Sequence, residues 1–218
     1  MKKNSTFALS KKVVKPMKFN IEAASERHCK YAEEICKEME ESAKVRGTGI
    51  AKRSPDYVEM KMREGKAVIA LDEQQQFAGF SYIESWSHDH FVANSGLIVR
   101  PEYRKSGLAR QIKKKIFELS RKKFPQAKIF SITTSLAVLK LNSEIGYKPV
   151  TFSELTDDDA FWKGCEACVN YDILQRNNRR MCLCTGMLFD PAKEVKFNFI
   201  KKFNVLERFR RLTTVKHK

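Results

Sequence analysis

No stretch of this sequence is apolar for long enough to cross a membrane. The opening segment, MKKNSTFALSKK, is basic but lacks the run of roughly 7 to 15 apolar residues that an export signal needs. A membrane partner is therefore not expected, and the reading is a soluble, cytoplasmic protein. No internal repeat and no low-complexity tract interrupts the chain, and a hydrophobic content of 42% over 218 residues excludes disorder throughout. Acidic residues are few beside basic ones: 26 Asp and Glu face 42 Lys and Arg, a formal charge of +16. Such a balance attracts polyanions or anionic substrates without naming either. Six cysteines are present, and in the absence of an export signal they read as reduced thiols or metal ligands.

Composition divides the chain into a basic, aperiodic arm over 1–17, a folded domain over 18–191 and a basic, aromatic extension over 192–218. Within the domain, Phe19 and Ile21 alternate as a short strand does. Ser25 suits the N-cap of a helix reaching about Ala43, with Tyr31, Ile35 and Met39 on one face, until Gly47 and Gly49 break it. A second helix is predicted from about Asp56 to Arg63. Strands follow at Lys66–Leu71, Ala78–Trp86 and Ala93–Val99, then a helix over Leu108–Lys123, a strand over Ala127–Thr133 and a helix from Ser135 to about Ile145 capped by Gly146. Tyr147–Phe152 fits an edge strand, where Pro149 is tolerated. Residues 153–180 read as irregular and acid-led, and Met181–Leu188 as a strand.

The segment Ser95–Ala109, SGLIVRPEYRKSGLA, is an apolar strand running into a glycine loop and then an amphipathic helix. A helix start presents unpaired N–H groups and the positive end of the macrodipole, so an anion belongs there. Gly107 and Ala109 leave room for close approach, while Arg104 and Lys105 add charge. This loop, in this order of elements, resembles the GNAT N-acyltransferases. The resemblance implies an α/β (α+β) fold with a mixed central sheet flanked by helices, and an acyl-CoA donor, acetyl-CoA or succinyl-CoA. The pantetheine arm would lie beside Leu97, Ile98 and Val99, with the pyrophosphate on Arg104, Lys105, Ser106, Gly107, Leu108 and Ala109.

Two further segments, TGIAKRS and ITTSLAVLKLNSEIGYKPV, are similar to the acyltransferase domain of the N-acetylglutamate synthases. That likeness implies an enzyme acylating the α-amine of L-glutamate, for arginine biosynthesis. Arg53 and Lys52 would grip the carboxylates, aided by Thr134, and Lys163 would stand in for a basic segment that this chain does not match. Bidentate Arg–carboxylate pairing makes the assignment chemically sound. The synthases carry a kinase domain for which 218 residues leave no room, so a stand-alone catalytic half is expected.

The reaction needs a deprotonated amine, a stabilised oxyanion and a departing thiolate. An α-amine, with a pKa near ~8 against about 10.4 for lysine, asks only for a modest base. Glu84, mid-strand with Tyr82 and Trp86 on its face, is the candidate; His88 and His90 in the adjoining loop are alternatives. Where many GNAT members place a tyrosine to protonate the thiolate, this chain aligns Asn142, which could hydrogen-bond the sulfur. Cys165, Cys168, Cys182 and Cys184 have the number, though only part of the spacing, of a Cys₄ zinc site, because Cys-x-Cys in a strand sets its Cα atoms about 7 Å apart. Buried reduced thiols are preferred, and no metal is expected. Cys29 and Cys36 read as core or boundary residues of the first helix. Phe197, Phe199, Phe203 and Phe209, among the basic residues after Lys193, suit packing on the domain or on the partner subunit of a homodimer, a solvated tail, or contact with nucleic acid or an acidic membrane surface. The competing functional readings are an acyltransferase for protein or ribosomal amines and a non-catalytic nucleic-acid-binding module.

Overall fold

The computed structural model describes residues 17–46 and 52–193. The N-terminal arm up to residue 16, the glycine break at Gly47 and Gly49, and Ile50 and Ala51 of TGIAKRS lie outside the described residues. So does the C-terminal extension from 194 onward.

Seven strands form one sheet in the order β1-β2-β3-β4-β5-β7-β6. They are β1 Asn20–Ala23, β2 Ala67–Leu71, β3 Phe77–Trp86, β4 Phe91–Val99, β5 Lys128–Thr133, β6 Lys148–Val150 and β7 Thr185–Phe189. Every neighbouring pair is antiparallel except β4 and β5. The mixed sheet flanked by helices is as expected, and β6 is an edge strand, where the missing N–H of Pro149 costs little.

Period-two alternation sends successive side chains to opposite faces. From β2, Val68 and Ala70 join Leu108, Ile112 and Ile116 of α3 (Leu108–Lys123) in one core. Ala67, Ile69 and Leu71 face the other way, onto Ile35 and Met39 of α1 (Ala32–Arg46) and Val58 and Met62 of α2 (Pro55–Arg63). Because both faces are covered, β2 is apolar along its whole length. Ser25 opens a 3₁₀ turn over Glu26–Tyr31 ahead of α1, and Ser54 accepts the Tyr57 N–H at the start of α2. After β5, α4 (Leu136–Glu144) starts at Ser135, whose hydroxyl accepts the Val138 N–H.

The stretch 153–180 corrects the irregular reading. It contains α5 (Asp159–Lys163), capped by Asp158, and α6 (Tyr171–Arg176). Helices of five and six residues are too short to show a period, yet Trp162 and Leu174 anchor them in a third core with Ala93, Phe130 and Leu188. Trp162 also donates its indole N–H to the Thr156 carbonyl at 2.9 Å. The strand predicted over Met181–Leu188 is likewise corrected: pairing with β5 begins only at Thr185, and Met181 and Leu183 are exposed. Among the described residues no helix is long and apolar enough to cross a membrane.

Candidate active site

The sheet opens in its middle. The parallel register of β4 with β5 holds for three pairs, from Phe91↔Lys128 to Ala93↔Phe130, and then ends, although β4 runs on to Val99 and β5 to Thr133. Opposite the opening, β4 carries a bulge: Tyr82 pairs with Ser95 and Phe80 with Ile98, so both Gly96 and Leu97 face Ser81. Gly96 has φ +62°, and a Cβ there would lie 2.3 Å from the Tyr82 ring. Only glycine fits the bulge.

A cavity of about 730 Å³ fills the fork. Asn94–Leu97 line it from β4 and Phe130–Thr133 from β5, with Thr134 at the end of the strand. Lys52, Arg53 and Tyr57 close one side, and α5 and α6 close another through Ala160, Phe161, Lys163 and Tyr171. All four proposed acceptor-binding residues, Lys52, Arg53, Thr134 and Lys163, therefore line one cavity although they are far apart in sequence.

Glu84 stands at the centre of a buried network. Its Oε1 accepts from the Arg53 guanidinium at 3.1 Å and from the Tyr57 hydroxyl at 2.5 Å, and its Oε2 accepts from Ser95 Oγ at 2.6 Å. Arg53 also donates Nε–H to the Tyr82 hydroxyl at 2.9 Å and lies over the Tyr57 ring at 5.1 Å. Burial, reinforced by the Glu84 charge, raises both phenols well above their ordinary range, so they remain donors. Neither aromatic neighbour expected for Glu84 bonds to it: Tyr82 accepts from Arg53, Trp86 Nε1 has no partner, and the Glu84 oxygens serve Arg53, Tyr57 and Ser95. Trp86 lines the cavity, and its Nε1 is buried without a hydrogen-bond acceptor. His88 and His90 are exposed in the β3–β4 turn and do not line the cavity.

Asn142 departs from its expected role. It is fully buried on the inner side of α4, donates Nδ2–H to Ser131 Oγ at 2.7 Å, and does not line the cavity. The helix phase that exposes Leu136 turns Asn142 into the core, so it is a packing residue.

The glycine loop lies beyond the cavity, at the end of β4. Gly107 has φ +85° with open space where a Cβ would stand, and it caps α3. Ser106 Oγ donates to the Tyr103 carbonyl at 2.6 Å and accepts the Leu108 N–H at 3.3 Å. Lys105 is exposed, with a left-handed backbone. Arg104 is already engaged: it donates to the Val99 carbonyl, to Ser42 Oγ at 3.0 Å and to Glu38, fastening β4 to α1. Leu108 is buried in the core and Ala109 packs against it. Of the three β4 residues assigned to the cofactor arm, Leu97 lines the cavity, whereas Ile98 and Val99 bury their side chains in opposite cores.

Cys165, Cys168, Cys182 and Cys184 are reduced and line the cavity. Burial, with neighbouring thiols adding to it, pushes Cys165 up to about 11 and Cys184 up to about 12. Among the described residues no group of three or more His, Cys, Asp or Glu is placed to hold a metal. Cys29 and Cys36 are half-buried against the α1–α2 core.

Among the lining residues that sequence reasoning did not assign to the site are Tyr57, Ser95, Asn94 and Lys113. Lys113 is the most unusual of these. It projects from α3 with 2% of its surface exposed, its nearest partner is the Tyr147 ring at 4.9 Å, and burial lowers it to about 7. Its signal was helical phase, since it adjoins Ile112 and precedes Ile116 by three, on the edge of the inward stripe.

The seven-stranded sheet, its fork and its helical covering constitute the GNAT acetyltransferase fold. Among solved structures with this fold, the chain is similar to N-acetylglutamate synthase from Neisseria gonorrhoeae, complexed with coenzyme A and N-acetylglutamate. The TM-score is 0.55 and the identity 14%, over 79% of this chain and 35% of that one. The chain thus spans about a third of the synthase. It is also similar to a putative acetyltransferase from Acinetobacter baylyi, with a TM-score of 0.55 and 14% identity over 80% of this chain and 92% of that one. A phosphinothricin acetyltransferase from Sinorhizobium meliloti, in complex with acetyl-CoA, matches with a TM-score of 0.53 and 14% identity over 79% and 88% of the two chains. No protein-family model and no curated protein sequence matches the chain.

Proposed function

We propose that this protein is an acyl-CoA-dependent N-acyltransferase whose acceptor is a small amine carrying carboxylates, with the α-amine of L-glutamate as first choice. The observation that carries the reading is the fork between β4 and β5 opening into a cavity walled by Arg53, Lys52 and Lys163. The coenzyme A and acetyl-CoA complexes of structural neighbours support the donor. Beyond Ala93, β4 has backbone groups without partners on the β5 side, which an amide-bearing pantetheine arm can pair. Gly107 at the head of α3 leaves space for the pyrophosphate.

On the acceptor side, Arg53 uses two of its five N–H donors on Tyr82 and Glu84, leaving others for a carboxylate, with Lys52 and Lys163 supplying further charge. Glu84 orients Arg53 and Tyr57 and places a negative charge beside the incoming ammonium. The acceptor's α-ammonium gives up its proton to water before it reacts; the neutral amine then attacks the thioester carbonyl, and CoA leaves as a thiolate that takes up a proton. The walls built by α5 and α6 favour a small acceptor over a protein amine. The nucleic-acid reading rests on terminal segments outside the described residues.

Thiol release, measured over a matrix of acetyl- and succinyl-CoA against the common amino acids, tests the proposal. Turnover with glutamate or a related dicarboxylic amine is the expected result. No thiol release with any acceptor would overturn it.

A further inference from the structure

Lys113 is a basic side chain in the fork to which the acceptor chemistry assigns no task. It enters from α3, the side opposite Arg53, and lines the same cavity as Asn94 and Ser131, the first residues past the end of the parallel pairing. Among the described residues no carboxylate and no hydrogen-bond acceptor meets its Nζ. The carboxylate of the cavity, Glu84, is committed to Arg53, Tyr57 and Ser95. Tyr147, whose ring Lys113 faces, directs its hydroxyl to Asn94 Oδ1 at 2.9 Å, and Asn94 Nδ2 goes on to Ser120 Oγ at 2.8 Å. The polar residues around Lys113 thus satisfy one another and leave the amine out.

We propose that Lys113 is an internal acyl acceptor: its Nζ attacks the thioester of acyl-CoA bound in the fork and becomes N-acylated. The inference rests on the acyl-CoA reading of the fork. In the step, the Nζ lone pair forms a C–N bond to the thioester carbonyl carbon, the C–S bond breaks with its electron pair on sulfur, and the proton lost by nitrogen completes the CoA thiol. No oxidant or other co-reactant is needed. The driving force is local as well as chemical. A buried ammonium without a partner is costly, and the amide product carries no charge. Burial also supplies the reactive form, since an amine lowered to about 7 is half uncharged at neutral pH.

The test is incubation of the full chain with acetyl-CoA, and separately with succinyl-CoA, without added amine, followed by intact-mass measurement and peptide mapping. The expected result is one acyl group per chain, on Lys113. Its rate of appearance should rise with pH through about 7 and then level off, because only the neutral amine attacks. Lys113→Arg should lose the label, and the pH profile of the native chain decides the matter if that variant does not fold. Labelling spread over exposed lysines, still climbing toward pH about 10, would overturn the proposal. So would an unmodified Lys113 in a chain that binds or turns over acyl-CoA. No binding of either thioester, measured by calorimetry, would overturn this inference and the acyltransferase reading together.

Discussion

On the α1–α2 side of the fork, the Arg53 guanidinium lies 3.1 Å from Glu84 and 2.9 Å from the Tyr82 hydroxyl; on the α3 side, Lys113 has only the face of the Tyr147 ring. Both cations are withdrawn from water and both line the same cavity. Their environments enforce different chemistry. A guanidinium does not give up its proton, so it must be matched, and the matched pair becomes a fixed recognition element. An ammonium can escape burial by losing its proton, which makes it a nucleophile.

The largest test of this contrast removes the unmatched charge. Between about 7 and the ordinary lysine value of 10.5, folded Lys113 binds fewer protons than it does in the unfolded chain. Stability therefore rises with pH across that window. Lys113→Met should abolish that rise, so that the native-minus-variant stability difference, from urea titrations at successive pH values, changes by on the order of 4 kcal/mol. A parallel pair of curves would put Lys113 in contact with water. The opposite side is broken by Glu84→Ala, which strands Arg53 and should cost about 3 kcal/mol in urea unfolding while raising the acceptor KM more than that for acyl-CoA.

Gly96→Ala strikes the strand between the two cations. The left-handed backbone and the approach to the Tyr82 ring should together cost about 2 to 3 kcal/mol, read from thermal or urea unfolding. Because Tyr82 holds Arg53, the acceptor KM should rise while labelling of Lys113 persists. The mildest change is Tyr57→Phe, which deletes one of three donors to Glu84 and should lower stability by about 1 kcal/mol in the same assay.

The strand, glycine loop and helix proposed to hold the donor were legible as structure because they are local. An apolar strand, a glycine that must adopt positive φ and an amphipathic helix follow one another within one segment, and β4, Gly107 and α3 stand where the pattern put them. The acceptor wall was legible only as separate residues. Arg53 and Glu84 meet across 31 positions, and no spacing encodes that Tyr57 and Ser95 bind the same carboxylate. Asn142 was misread because an alignment position does not fix which way a helix turns its side chains. Lys113 was not singled out, although its phase beside Ile112 places it on the edge of the inward stripe. The segment 153–180 was lost to its brevity: α5 and α6 owe their form to Trp162 and Leu174 reaching a distant core.

The three-pair seam between β4 and β5 has a consequence for evolution of the sequence as much as for binding. Past Ala93 the sheet presents an open edge, not at its rim, where another protein could dock and aggregate, but in its interior, walled by helices on both faces. A guest bearing amides can join such an edge as a substitute strand, read by peptide geometry and not by side chains. Ile98 and Val99, whose side chains lie in the two cores, can therefore vary within the limits of packing without changing the backbone that this edge presents.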